Sequence, residues 1–131
     1  MTQALQTIRD LYVSMEQGNI GKLVIALDEA VYVHTAACMG GNRRGREGIL
    51  QLVPVFYRPG SGIKKVIDHF IEHDSRIIVV GNICITTQSA TTDLMPFADI
   101  WTLENNNILT VIFYYRDPQE LCNYLEATLT R

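Results

Sequence analysis

No apolar run in this 131-residue chain approaches the roughly 18 residues needed to cross a bilayer, so no membrane partner is expected. The opening MTQALQTIRD lacks a charged region followed by an apolar core, which argues against a secretory leader. Cysteine is scarce. Cys38, Cys84 and Cys122 are an odd count with no CxxC pair, which fits reduced thiols in a cytoplasmic protein. Basic charge is short as well: 11 Lys and Arg against 14 Asp and Glu give a net charge of -3. The one basic cluster, Arg43, Arg44 and Arg46, is small, so nucleic acid is not an expected partner. No internal repeat or linker interrupts the chain. What is present is an ordinary globular composition, 47% hydrophobic and 19% charged. It is enough for one domain over residues 1–131 with a core and room for one cavity.

Periodicity gives the elements. Leu5, Ile8, Tyr12 and Met15 recur at spacings of three and four, one stripe of a helix that Gly18-Asn19 ends. Ile20, Leu23, Val24 and Leu27 form the apolar side of a short second helix. AVYVHT, residues 30–35, reads as a strand. A glycine- and arginine-bearing loop follows, read as a solvated lid because no GKS/T pattern supports a phosphate loop. A third helix is expected over Arg46–Phe56, with Ile49, Leu52 and Val53 inward and Pro54 kinking or ending it. After the RPGSG loop come strands at 64–72 and 76–87, one holding Asp99, and one at 108–115. Their turns are His73-Asp74-Ser75 and Glu104-Asn105-Asn106-Asn107. Asp117-Pro118-Gln119-Glu120 starts a closing helix that continues through Leu121, Leu125, Thr128 and Leu129. Helices on one side of a curved antiparallel sheet make an α+β fold.

Asp99 stands out within that pattern. On a strand it shares a face with Phe97, Trp101 and Leu103. A carboxylate among large apolar neighbours loses hydration, so it either closes a buried polar network or lines a ligand pocket. His34 shares a face with Tyr32 and carries a group that titrates near neutrality. The alternative is a satisfied core histidine. Tyr12 lies on the apolar stripe, where a hydroxyl either serves a site or is satisfied inside a core. Phe113 and Tyr115 point to one face of the last strand, as pocket lining or as packing, and Trp101 is pocket wall or core. His69 and His73 fall on one strand face, without the spacing of a metal site, so no metal is expected.

The element order resembles the SnoaL-like and ketosteroid-isomerase-like branch of the nuclear-transport-factor-2-like superfamily. The strings that carry it are IRDLYVSMEQGNIGKLVIAL, DEAVYVHTA, GREGIL and PFADIWTLENNNILTVIFYYRDP, spanning roughly Ile8 to Leu125. The resemblance implies a cone: a bent sheet around the N-terminal helices, with an internal apolar pocket. It implies a homodimer through the outer sheet face. In the isomerase branch a helix tyrosine and a strand acid form an oxyanion hole, and Tyr12 and Asp99 match those positions. The position of the branch's catalytic aspartate holds His34, which can also act as a base. An arginine wanted by the epoxide-hydrolase branch is replaced by Phe97.

Two functions follow as expectations. The first is a cofactor-independent isomerase or cyclase, with lyase or hydrolase chemistry left open. His34 would abstract a proton next to a carbonyl, and Asp99 and Tyr12 would hold the oxyanion of an apolar small molecule. Phe97, Trp101, Tyr32, Phe113 and Tyr115 would line the pocket. Asp99 can donate a proton or, ionised, orient His34, and both remain open. The second expectation is a non-catalytic ligand-binding or dimerising module.

Overall fold

The computed structural model describes residues 2–58 and 62–129, with side chains through Glu126. Most of the RPGSG loop and the side chains of Thr128 and Leu129 lie outside the described residues. Helix α1 spans Gln3–Glu16, and Thr2 caps it by accepting from the Leu5 amide at 3.2 Å. Its buried stripe is Ile8, Leu11, Tyr12 and Met15, and Gly18 ends the segment at φ 77°. Helix α2 is Gly21–Ala26 and strand β1 is Leu27–His34. The remaining strands are β2 (Arg43–Arg44), β3 (Ile63–His73), β4 (Arg76–Thr86), β5 (Thr91–Glu104) and β6 (Asn107–Tyr115). Helix α5, Pro118–Leu129, closes the chain, and Asp117 Oδ1 accepts from the Glu120 amide at 3.0 Å as its cap.

All six strands form one curved sheet in the order β2-β1-β6-β5-β4-β3. The β1–β6 pair is parallel and the others are antiparallel, so the sheet is mixed. Helix α1 covers the inner face, where Tyr12 meets Phe70 and Trp101 edge-on at 5.8 and 6.0 Å. Register shifts mark β3 between Ile67 and His69 and β4–β5 at Cys84. Such bulges bend a strand, and here they curl the sheet around α1. Asp74, Asn105 and Asn106 take left-handed backbone in the two expected turns.

Three expectations change. The expected third helix is two short ones, α3 (Glu47–Leu50) and α4 (Val53–Tyr57), and Pro54 sits in the first turn of α4. Proline lacks an N–H but is tolerated where that donor has no partner anyway, so it opens α4 instead of ending α3. The arginine loop is not a solvated lid. Arg43 and Arg44 pair with Val33 and Tyr32 as an edge strand, Arg44 stacks over the Tyr32 ring at 4.8 Å, and Arg46 donates to the Leu27 carbonyl at 2.9 and 3.0 Å.

The third change concerns the thiols. Cys38 and Cys122 are bridged, with Cα atoms 6.3 Å apart. The fold places the 3-10 turn Ala37–Met39 beside α5, a proximity that two cysteines 84 residues apart do not announce. A bridge closing so long a loop should contribute about 2–4 kcal/mol. Urea unfolding with and without reductant checks this, and an unchanged midpoint would contradict it. Cys84 is the free thiol, 3% exposed, with its S–H 3.1 Å from Asp93 Oδ1. Burial and then the Asp93 carboxylate push its pKa up to about 11. Near pH 8 its thiolate fraction is then on the order of a hundredfold below that of a free cysteine. Native protein should therefore react slowly with a thiol-exchange reagent and release the thiol on unfolding. Rapid reaction of the native form would contradict that expectation.

Candidate active site

Strand alternation on β5 turns Met95, Phe97, Asp99, Trp101 and Leu103 inward. Asp99 is 0% exposed, with Val79 and Phe113 opposite it on β4 and β6. Two side chains supply its donors. The Tyr12 hydroxyl donates to Oδ2 at 2.5 Å, and Lys65 Nζ donates to Oδ1 and Oδ2 at 3.1 and 2.9 Å. The Trp101 indole N–H donates in turn to Tyr12 Oη at 2.9 Å. Asp99 only accepts, which is the bonding pattern of a carboxylate. The Tyr12 proton is thereby committed to Asp99.

Lys65 enters from β3, two strands away, on the same inward parity as Ile63. It is 5% exposed, and four rings surround its ammonium. Nζ lies 4.6 Å from the Phe56 centroid, 4.9 Å from Phe97 and Phe113, and 5.5 Å from Tyr115. Burial lowers the Lys65 pKa, and the Asp99 charge and hydrogen bonds oppose that shift without cancelling it. The Tyr12 phenol is held well above its usual 10.0, first by burial and then by the Asp99 charge. Tyr57 and Tyr115 are raised for the same two reasons. The Tyr115 hydroxyl is buried and has no hydrogen-bond partner among the described residues.

Desolvating two charges costs several kcal/mol per ion, comparable to the ~1.5–3 kcal/mol gained by each large apolar side chain buried around them. Such a pair adds little to stability, so its presence marks a candidate site. Beside it is a cavity of about 20 Å³, bounded by Tyr12, Lys65, Asp99, Trp101, Phe113 and Tyr115 together with residues of α3 and α4. That is room for about one water. An open groove of about 370 Å³ adjoins it, sharing Phe56, Tyr57 and Lys65, with Glu16, Arg58 and Lys64 on its sides.

The structure brings Tyr12, Asp99, Trp101, Phe113 and Tyr115 around this cavity, and sets the Phe97 ring against Lys65. It does not bring His34 or Tyr32 there. Strand β1 buries Val31 and Val33, so Tyr32 and His34 point to the outer face, with their rings 4.3 Å apart. His34 lines two other clefts instead, one of them shared with Phe113 and Tyr115. Lys65 was absent from the expected site. Among the described residues, no group of three or more His, Cys, Asp or Glu side chains is placed to hold a metal ion.

No protein-family model matches the chain, and no curated protein matches it. Solved structures do. An NTF2-like protein of unknown function from Burkholderia pseudomallei aligns over 95% of this chain and 98% of its own, with a TM-score of 0.76 and 22% identity. TerC co-crystallised with polyporic acid aligns over 95% and 99%, with a TM-score of 0.73 and 19% identity. A putative SnoaL-like polyketide cyclase from Jannaschia aligns over 95% and 92%, with a TM-score of 0.68 and 12% identity. The chain therefore has the nuclear-transport-factor-2-like fold that the sequence resemblance implied.

Proposed function

We propose that this protein binds a small, mostly apolar carbonyl compound in the cone and moves a proton on the carbon next to the carbonyl. Lys65 meets the carbonyl group, and Asp99 takes the proton. Tyr12, itself held by Trp101, fixes the Asp99 carboxyl. The observation that carries this reading is the Lys65–Asp99 pair, buried among aromatic rings beside a cavity. The pair puts an electrophile and a base within one ion-pair distance, and fixed charges act strongly in a dry site. It replaces the expected His34 base, because His34 faces outward. The fold shared with TerC, which was crystallised with polyporic acid, and with a putative polyketide cyclase supports a small-molecule role. The proposed chemistry needs no cofactor.

Deuterium uptake next to the carbonyl of acetophenone or cyclohexanone in heavy water tests the proposal. The expected rate is about a hundredfold or more above buffer. It should be lost in Lys65→Met/Asp99→Leu and kept in His34→Ala. A cavity of about 20 Å³ favours the second reading, a non-catalytic binding or dimerising module. Wild-type exchange no faster than buffer would support that reading and refute the first. Exposed Val66, Ile71 and Tyr114 suit a homodimer, which light scattering checks. No described helix is long and apolar enough to cross a membrane. The Cys38–Cys122 bridge removes the reduced-thiol ground for a cytoplasmic location.

A further inference from the structure

We propose that Lys65 engages its carbonyl ligand covalently, as an iminium, with Asp99 carrying the proton. The inference rests on the carbonyl-handling reading above and specifies how that site works. Three observations support it. An ammonium has three N–H donors, yet among the described residues Asp99 supplies the acceptors and aromatic rings occupy the rest of the surround. An iminium of Lys65 keeps the positive charge that Asp99 and the rings stabilise, and needs one acceptor. Lys65 also belongs to the walls of both the small cavity and the adjoining groove. The groove of about 370 Å³ has room for the body of a small molecule while its carbonyl reaches Nζ. Finally, the small cavity has room for about one water, the molecule that iminium formation releases.

The step balances. Lys65 Nζ passes one proton to Asp99 across 2.9 Å, leaving a neutral amine and a neutral acid. The nitrogen lone pair attacks the carbonyl carbon, the C=O π pair moves to oxygen, and a proton passes from nitrogen to that oxygen to give a carbinolamine. Asp99 returns its proton to the hydroxyl as the C–O bond breaks. The products are an iminium, a carboxylate and one water, with the net charge of the starting pair. The Asp99 carboxylate then removes the proton from the adjacent carbon to give the enamine, and water reverses the sequence. The low dielectric that disfavours separated charges eases the first proton transfer. The narrow cavity restricts the partner to an aldehyde or an unhindered ketone.

Sodium cyanoborohydride reduces an iminium to a stable secondary amine, so trapping tests the proposal directly. The wild-type protein is incubated near neutral pH with butanal and the reagent, then mapped by peptide mass spectrometry. The sequence has three lysines, Lys22, Lys64 and Lys65, so the assignment is unambiguous. The expected result is a butyl group on Lys65, formed faster than on Lys64, since burial lowers the Lys65 pKa and so raises its free-base fraction near neutral pH. The Lys65→Arg variant should lose that label and keep the labels on Lys22 and Lys64. Labelling confined to Lys22, Lys64 and the α-amino group would overturn the inference. If such a protein still exchanges the acetophenone protons, the iminium fails and the non-covalent reading stands. If neither exchange nor Lys65 labelling occurs, both fail.

Discussion

Asp99→Leu should destabilise the protein by about 3–5 kcal/mol, and adding Lys65→Met should recover most of that loss. The single substitution leaves the Lys65 ammonium buried with no acceptor, and an uncompensated charge costs far more than the pair contributes. It also strips the Tyr12 hydroxyl of its acceptor, adding roughly 1–3 kcal/mol unless a water enters. The double substitution replaces two desolvated charges with apolar side chains of similar reach, a change that is often neutral or stabilising. Urea unfolding of the two single variants and the double variant closes the cycle, with an expected coupling of about 3 kcal/mol between the sites. Additive single effects would show that the pair is not the unit described here.

Gly81→Ala carries the second large effect. A Cβ at Gly81 would lie 2.0 Å from the Val66 carbonyl oxygen and 2.9 Å from the Val66 carbonyl carbon and the Ile67 Cα. All three are backbone atoms of β3 at its bulge, so no side-chain rotation relieves the clash. Strand β3 must shift or lose its bulge, at about 3 kcal/mol or more. The same strand carries Lys65, so displacement would also pull Nζ from Asp99. A melting temperature unchanged from wild type would contradict this account of the bulge.

Much of this was legible in the sequence, and the misses have physical causes. The parity of PFADIWTL placed Asp99 and Trp101 on one apolar face, and the α1 spacing placed Tyr12 on the helix's apolar stripe; the structure buries all three. The same parity test applied to AVYVHT sets Val31 and Val33 against His34, and the structure buries the two valines. The resemblance to the isomerase branch assigns His34 a catalytic position against that local signal. Lys65 was missed because a lysine in a strand ordinarily faces water. Its parity with Ile63 was the available clue, blurred because the bulge between Ile67 and His69 inverts the alternation and turns Phe70 toward α1. The Cys38–Cys122 bridge depends on tertiary proximity, which spacing along a chain does not encode.

Trp101 is the only tryptophan in the chain, and its indole N–H points at Tyr12 beside the Lys65–Asp99 pair. Its single indole proton resonance therefore reports directly on the cavity. Titration with acetophenone should shift that resonance saturably in the wild type and in His34→Ala, with affinity weakened about tenfold or more in Lys65→Met/Asp99→Leu, the ~1.4 kcal/mol or more expected from losing the polar contact. An absent shift, equal affinity in the double variant, or loss of binding in His34→Ala would contradict the claim that the Lys65–Asp99 pair meets the ligand.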